Sequence, residues 1–318
     1  RDDVESRGLG DVYKRQKIHI LKNRRNNMVD FKLHSLKNFE NAETEEWIEE
    51  GMRDVASKLE LDLDALTDFI NDTEREIARR AKFPTIDDNS LERNALRDDI
   101  LLDYENLFKS ASKGRTATIV LGQIAAGKSS FCRNLRAKTN AMIIDVDYIK
   151  QGHGSMDALR KDFDYGRGTD MIHEEASMLS KKLLSRVSKS GYDLIIPKTG
   201  IAYDSIYNMA SLLKERGYKI TLCYIDLPIK ACIERNFYRF IDEFMQGIPC
   251  RLVPFSTIRS IDDKPFKTFQ KFLINKNNGL IDEFNAYSND VPSHQQMQKI
   301  DIADILQYTE AEESKEDE

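Results

Sequence analysis

One eight-residue pattern constrains this chain more than any other. Residues 122–129 read G-x-x-x-x-G-K-S, inside "LGQIAAGKSSF". The short β-branched run "TATIVL" (116–121) precedes it and the helical pattern "SSFCRNLRAK" follows it. Strand, glycine-spaced loop and helix in that order aim backbone N–H groups and a helix N-terminus at an anion, with Lys128 as a point charge and the Ser129 hydroxyl on Mg²⁺. A tight structural turn has no need of a lysine followed by a serine. The loop residues Gly122, Gln123, Ala125, Ala126, Gly127, Lys128, Ser129 and Ser130 are therefore expected to hold nucleotide phosphates, with ATP and Mg²⁺ as cofactors.

The alternation continues beyond the loop. "AMIID", "DLIIP" and "KITLCYI" read as buried strands, separated by helical patterns over 176–188 and 205–216. The expected fold is α/β, a doubly wound parallel sheet of the P-loop NTPase and kinase type, carrying a helical extension at its N-terminus. Ligands of such sheets gather at the carboxyl ends of the strands, so the residues just beyond them are the candidates for chemistry.

The segments around this core are read from periodicity and charge. The opening "RDDVESRGLGDVYKRQ" (1–16) shows neither helical nor strand periodicity, and residues 1–27 are expected to be a non-native or disordered leader, with Met28 a plausible native start. Over 28–114 the pattern is helical: Trp47, Val55 and Leu59, then Leu66, Phe69, Ile70 and Ile77, then Leu96, Ile100, Tyr104, Leu107 and Phe108. Ser90 is the expected N-cap of the last helix, which should meet the core near the start of the first strand. The kinase-like domain is placed at 115–308. Residues 309–318 are expected to be a disordered acidic tail: six acidic residues against Lys315 supply five of the six excess negative charges. What remains is nearly neutral, which argues against a broad nucleic-acid surface. No apolar run is long enough to span a bilayer, so a cytoplasmic protein is expected. The four cysteines, Cys132, Cys223, Cys232 and Cys250, show no metal-binding or redox spacing and read as reduced and structural.

Beyond the second strand, "IIDVDYIKQGHG" places Asp145 and Asp147 two residues apart. One carboxylate can serve the metal and the other take the proton of an acceptor hydroxyl; both can equally cap a turn. Further on, Arg235, Arg239 and Arg251 follow the strand ending at Asp226. Guanidinium groups there can meet the oxygens of a phosphoryl group in transfer, or simply face solvent.

These residues together resemble the zeta toxins of bacterial toxin–antitoxin systems. Over residues 115–290 the chain shows "GQIAAGKSS" and then "IDVDYIKQGH", where that family has G-Q-x-x-x-G-K-[ST] and I-D-x-D-x-x-K-Q-x-H. The resemblance implies that Asp147 is the catalytic base, Lys128 the phosphate lysine, Ser129 and Asp145 the metal ligands, and Arg239 and Arg251 the arginines that compensate charge. It implies an ATP-dependent phosphotransferase acting on the 3′-hydroxyl of the amino sugar of UDP-N-acetylglucosamine, which would block cell-wall synthesis, and a helical antitoxin as partner. Lys150, Glu174, Glu175, Lys198 and Thr199 are the candidate substrate contacts. The chain departs from the family at "PKTGI", where Pro197, Lys198 and Ile201 replace an acid, a glycine and an arginine, and at Lys181, which counting from Gly191 places where some members have a glutamate. Two alternatives remain open: a kinase of the same core acting on another small-molecule or polynucleotide hydroxyl, and a non-catalytic nucleotide-binding regulator.

Overall fold

The computed structural model describes residues 85–151, 172–245, 255–275, 279–291 and 295–316, together with 53, 57 and 253. In chain order these form α1 (Leu91–Leu107), β1 (Thr116–Gly122), α2 (Lys128–Thr139), β2 (Met142–Ile143), α3 (Val146–Gln151), α4 (His173–Lys189), β3 (Leu194–Pro197) and α5 (Tyr203–Glu215). They continue with β4 (Lys219–Asp226), α6 (Ile229–Met245), α7 (Phe255–Ile261), α8 (Lys264–Ile274), β5 (Glu283–Ser288), β6 (Gln298–Ile300) and α9 (Ile302–Glu316). The leader and the helices expected between 28 and 84 lie outside the described residues, apart from Arg53 and Ser57, both helical.

The sheet has the order β2-β3-β1-β4-β5-β6. β1 lies inside it because Ile119, Val120 and Leu121 are fully buried and need cover on both faces. The pairs from β2 through β5 are parallel, and β6 closes the far edge antiparallel to β5. Register aligns the carboxyl ends: Val120 stands opposite Pro197, Gly122 opposite Ile225 and Asp226 opposite Ser288. One rim of the sheet therefore carries the loops after β1, β2, β3, β4 and β5.

Helices cover both faces. Tyr224 of β4 packs on Phe266 and Phe269 of α8, with centroids 5.4 and 5.6 Å away. On the other face Phe131 of α2 meets Tyr287 of β5 at 5.1 Å. α8 owes its position to the spacing of Phe266, Phe269, Phe272 and Leu273, all buried, behind Pro265 at its first turn.

Ser90 does cap α1, its hydroxyl accepting from the Arg93 amide at 3.1 Å. The helix buries Arg97, Ile100, Leu101, Tyr104 and Phe108, while Leu107 is exposed. Its contacts reach beyond the start of the first strand, where it is expected to meet the core away from the phosphate loop. The Tyr104 hydroxyl donates to the Ile143 carbonyl at 2.6 Å and accepts from the Asp145 amide at 3.4 Å, so α1 extends alongside β2 to the functional rim. The reason is length: 17 residues of helix rise about 25 Å. The acidic terminus also departs from the expected disorder, since α9 continues to Glu316. Its start is fastened by buried Ile305 and by Thr309, whose hydroxyl accepts from Gln270 Nε2 at 2.9 Å.

Candidate active site

The phosphate loop is built by close approach. A Cβ on Gly122 would lie 2.7 Å from the Ile225 carbonyl oxygen, and one on Gly127, at φ 97°, would lie 2.2 Å from Asn289 Nδ2. Only glycine fits either place. Ala125 takes the left-handed conformation at φ 62°. Lys128 opens α2, and its Nζ donates to the carbonyls of Gly122 at 2.7 Å and Gln123 at 2.8 Å. Burial pushes its ammonium down to about 8, against the opposing pull of Asp145 and Asp147. Ser129 and Ser130 are exposed in the first turn, where the amides of a helix start are unsatisfied.

The two aspartates divide their work. Asp145 Oδ1 accepts from the Asp147 amide at 3.0 Å and so caps α3. Asp147, in the first turn, has Oδ1 3.5 Å from Lys150 Nζ. Lys198 follows β3, and burial holds its ammonium below the usual lysine range while Asp145 draws it up and Lys181 adds to the depression. Lys128, Asp145, Asp147 and Lys198 thus act on one electrostatic neighbourhood at the strand ends, and Thr199 is half-buried beside Lys198.

The remaining sequence candidates separate. Glu174 is exposed at the start of α4. Glu175 is buried, paired with Arg93, and has Oε1 2.6 Å from Arg97 Nε, both arginines on α1. That arrangement makes it a brace between two helices. Arg239 lies on α6 with NH2 3.1 Å from Asn236 Oδ1. Arg251 lies outside the described residues, as do residues 152–171.

Two features escaped the sequence reading. Asn289, just past β5, donates from Nδ2 to the Ala126 carbonyl at 2.7 Å, and its own carbonyl accepts from Arg235 NH2 at 2.9 Å. The strand-end rule that marked Asp145 would have marked it too. The Gln123 side chain turns inward, to the corner between α7 and α8, instead of outward to a ligand. No spacing in the sequence carries that direction.

The arrangement offers a cationic loop for phosphates and a carboxylate near it. Its oxygen donors, the Ser129 hydroxyl and Asp145, suit a magnesium ion, which takes few protein ligands and shares phosphate oxygens and water. Among the described residues no helix is long and apolar enough to cross a membrane.

Comparison with known proteins places residues 98–276 in the zeta toxin family model. A curated relative, toxin zeta of Enterococcus hirae, is 29% identical over 125 residues, which span 38% of this chain and 42% of that protein. The match thus spans about two fifths of the relative's length. Toxin PezT of Streptococcus pneumoniae is 29% identical over 120 residues, 37% of this chain and 47% of that protein. A solved structure from the PezAT chromosomal toxin–antitoxin system of the same species superposes with a TM-score of 0.55 at 20% identity, over 70% of this chain and 89% of its own.

Proposed function

The chain belongs to the zeta toxin family, and from that premise we propose that it is an ATP-dependent phosphotransferase whose acceptor is the 3′-hydroxyl of the amino sugar in UDP-N-acetylglucosamine. The observation that carries the reading is the joint placement of a complete phosphate loop and Asp147 at one rim of the sheet, where Lys128 feels both Asp145 and Asp147.

Each residue then has a task. Lys128 leaves the Gly122 and Gln123 carbonyls for the phosphates, joined by the loop amides and the start of α2. Ser129 and Asp145 would hold Mg²⁺, which when bound neutralises charge on the phosphate oxygens. Asp147 orients the acceptor hydroxyl and takes its proton. Arg239, with Arg251 assigned by resemblance, compensates charge that grows during transfer. Lys150, Lys198, Thr199 and Glu174 border the acceptor side. Glu175 serves it through its brace to α1.

The family premise also brings a helical antitoxin as partner, in keeping with the toxin–antitoxin system from which the S. pneumoniae structure comes. A cytoplasmic setting follows from the substrate. The experiment incubates purified protein with Mg·ATP and a mixed metabolite pool containing UDP-N-acetylglucosamine, then identifies by mass spectrometry what gains a phosphate. Phosphate on the amino sugar 3′-oxygen is the expected result. Phosphate on another hydroxyl would keep the kinase and replace the acceptor, and ADP release without any phosphorylated product would remove the transferase.

A further inference from the structure

We propose that Gln123 is a positioning residue for phosphoryl transfer, tying the phosphate loop to the corner between α7 and α8. This rests on the kinase reading above. Gln123 is 6% exposed, and its side chain is bonded at both ends. Its Oε1 accepts from the Ile124 amide at 2.8 Å, and its Nε2 donates to the carbonyls of Ile258 at 3.2 Å and Asp262 at 3.3 Å.

The Ile258 carbonyl lies in the last turn of α7, where it also accepts from the Asp262 amide at 3.2 Å, and the Asp262 carbonyl lies just past the helix, where the regular ladder of donors has ended. The backbone reverses there, Asp262 taking φ 31°, before α8 begins. A primary amide has two N–H donors and an acceptor, so a single side chain meets both carbonyls and the loop amide. The backbone of Gln123 is engaged as well: its carbonyl accepts from Lys128 Nζ at 2.8 Å and from the Ala126 amide at 3.1 Å. The side chain thus fixes the peptide plane on which Lys128 rests, and refers it to a corner buried around Ile258 and Ile261.

A loose loop misplaces the lysine rather than removing it. Turnover should therefore suffer more than nucleotide affinity. The charged groups near this tie are Asp262, Asp263, Arg259 and Lys267 at the corner and Lys128 in the loop.

The test compares the full-length wild type with Gln123→Glu and Gln123→Met. A carboxylate accepts from Ile124 but has no donor for the two carbonyls, whereas a protonated carboxyl regains one. Both variants should bind Mg·ADP within about threefold of wild type by calorimetry, while turnover falls about 10- to 100-fold with KM for ATP nearly unchanged. Hydrogen exchange at the Ala126 and Asp262 amides should quicken by about tenfold or more. Burial beside two carbonyls raises a carboxyl at this place above its ordinary range, so the ratio of Gln123→Glu to wild-type turnover should climb as pH is lowered, while that of Gln123→Met stays flat. Unchanged exchange at both amides in Gln123→Met would overturn the inference, as would wild-type turnover in both variants. Should Gln123→Met not fold, Gln123→Glu, nearly isosteric with glutamine, carries the comparison. If wild type binds nucleotide yet transfers nothing, the kinase reading fails and amide exchange alone decides the tie.

Discussion

Replacing Glu175 by glutamine separates a brace from a substrate contact. Its carboxylate is 2% exposed and faces two guanidinium groups that are 10% and 5% exposed, so solvent screens the pairs little. Glutamine keeps one acceptor oxygen and turns an NH₂ toward an arginine. Breaking a buried pair at one partner costs about 3–5 kcal/mol, because the remaining charges stay buried without compensation. At about 2–4 °C per kcal/mol for a domain of this size, the melting temperature should fall by about 6–20 °C. The assay is far-ultraviolet circular dichroism during heating, with urea unfolding as a check and exposed Glu174→Gln as the control, expected within about 0.5 kcal/mol of wild type. Turnover measured well below the melting temperature should be largely kept. A loss of less than about 1 kcal/mol with normal turnover would refute the brace. Unchanged stability with abolished turnover would instead return Glu175 to the acceptor side.

Three further outcomes are expected. With the Lys128 ammonium held at about 8 by burial and drawn up again by phosphates, ATP-analogue affinity should be flat below about pH 7. It should weaken by about tenfold per pH unit above 8, as binding must then take up a proton, and calorimetry in buffers of different ionisation enthalpy reads that uptake. Asp147→Asn should lower turnover by about 10²–10⁴ with ATP affinity nearly unchanged; normal turnover would move the base elsewhere. Tyr104→Phe should cost about 1–3 kcal/mol in urea unfolding by leaving the buried Ile143 carbonyl without its donor, and a neutral result would mean that water replaces the hydroxyl.

Much of the architecture is legible in the sequence, for a physical reason. Strands covered on both faces must be apolar and are favoured by β-branching, so β1, β3 and β4 show in "TIVL", "LIIP" and "ITLCYI". The loop was legible because its chemistry fixes residue type at each position. β6 was missed, since three residues, "QKI", are too few to show a period. Composition marked the terminus as disordered, yet contacts at Ile305 and Thr309 begin a helix there. Leu107 followed the helical step but faces out, because Phe108 beside it takes the buried place against Arg136, 4.4 Å from its ring. The inward turn of Gln123 and the grip of Asn289 depend on elements more than a hundred residues away in sequence, a distance local pattern does not encode.

The two margins of the sheet have a consequence of their own. β2 offers two residues at one margin and β6 three at the other, with α1 lying alongside β2. A margin strand left long and bare is a template on which a second chain can add its own backbone, the start of aggregation. Here the template is almost too short to copy, and α1 shields one of its ends. A version of the chain trimmed to residues 98–276 would begin inside α1 and end before β5. It would lose the cap and both arginines at one margin, and at the other would bare the six residues of β4, 221–226, that pair with β5. Such a piece should clump where the longer chain stays dispersed.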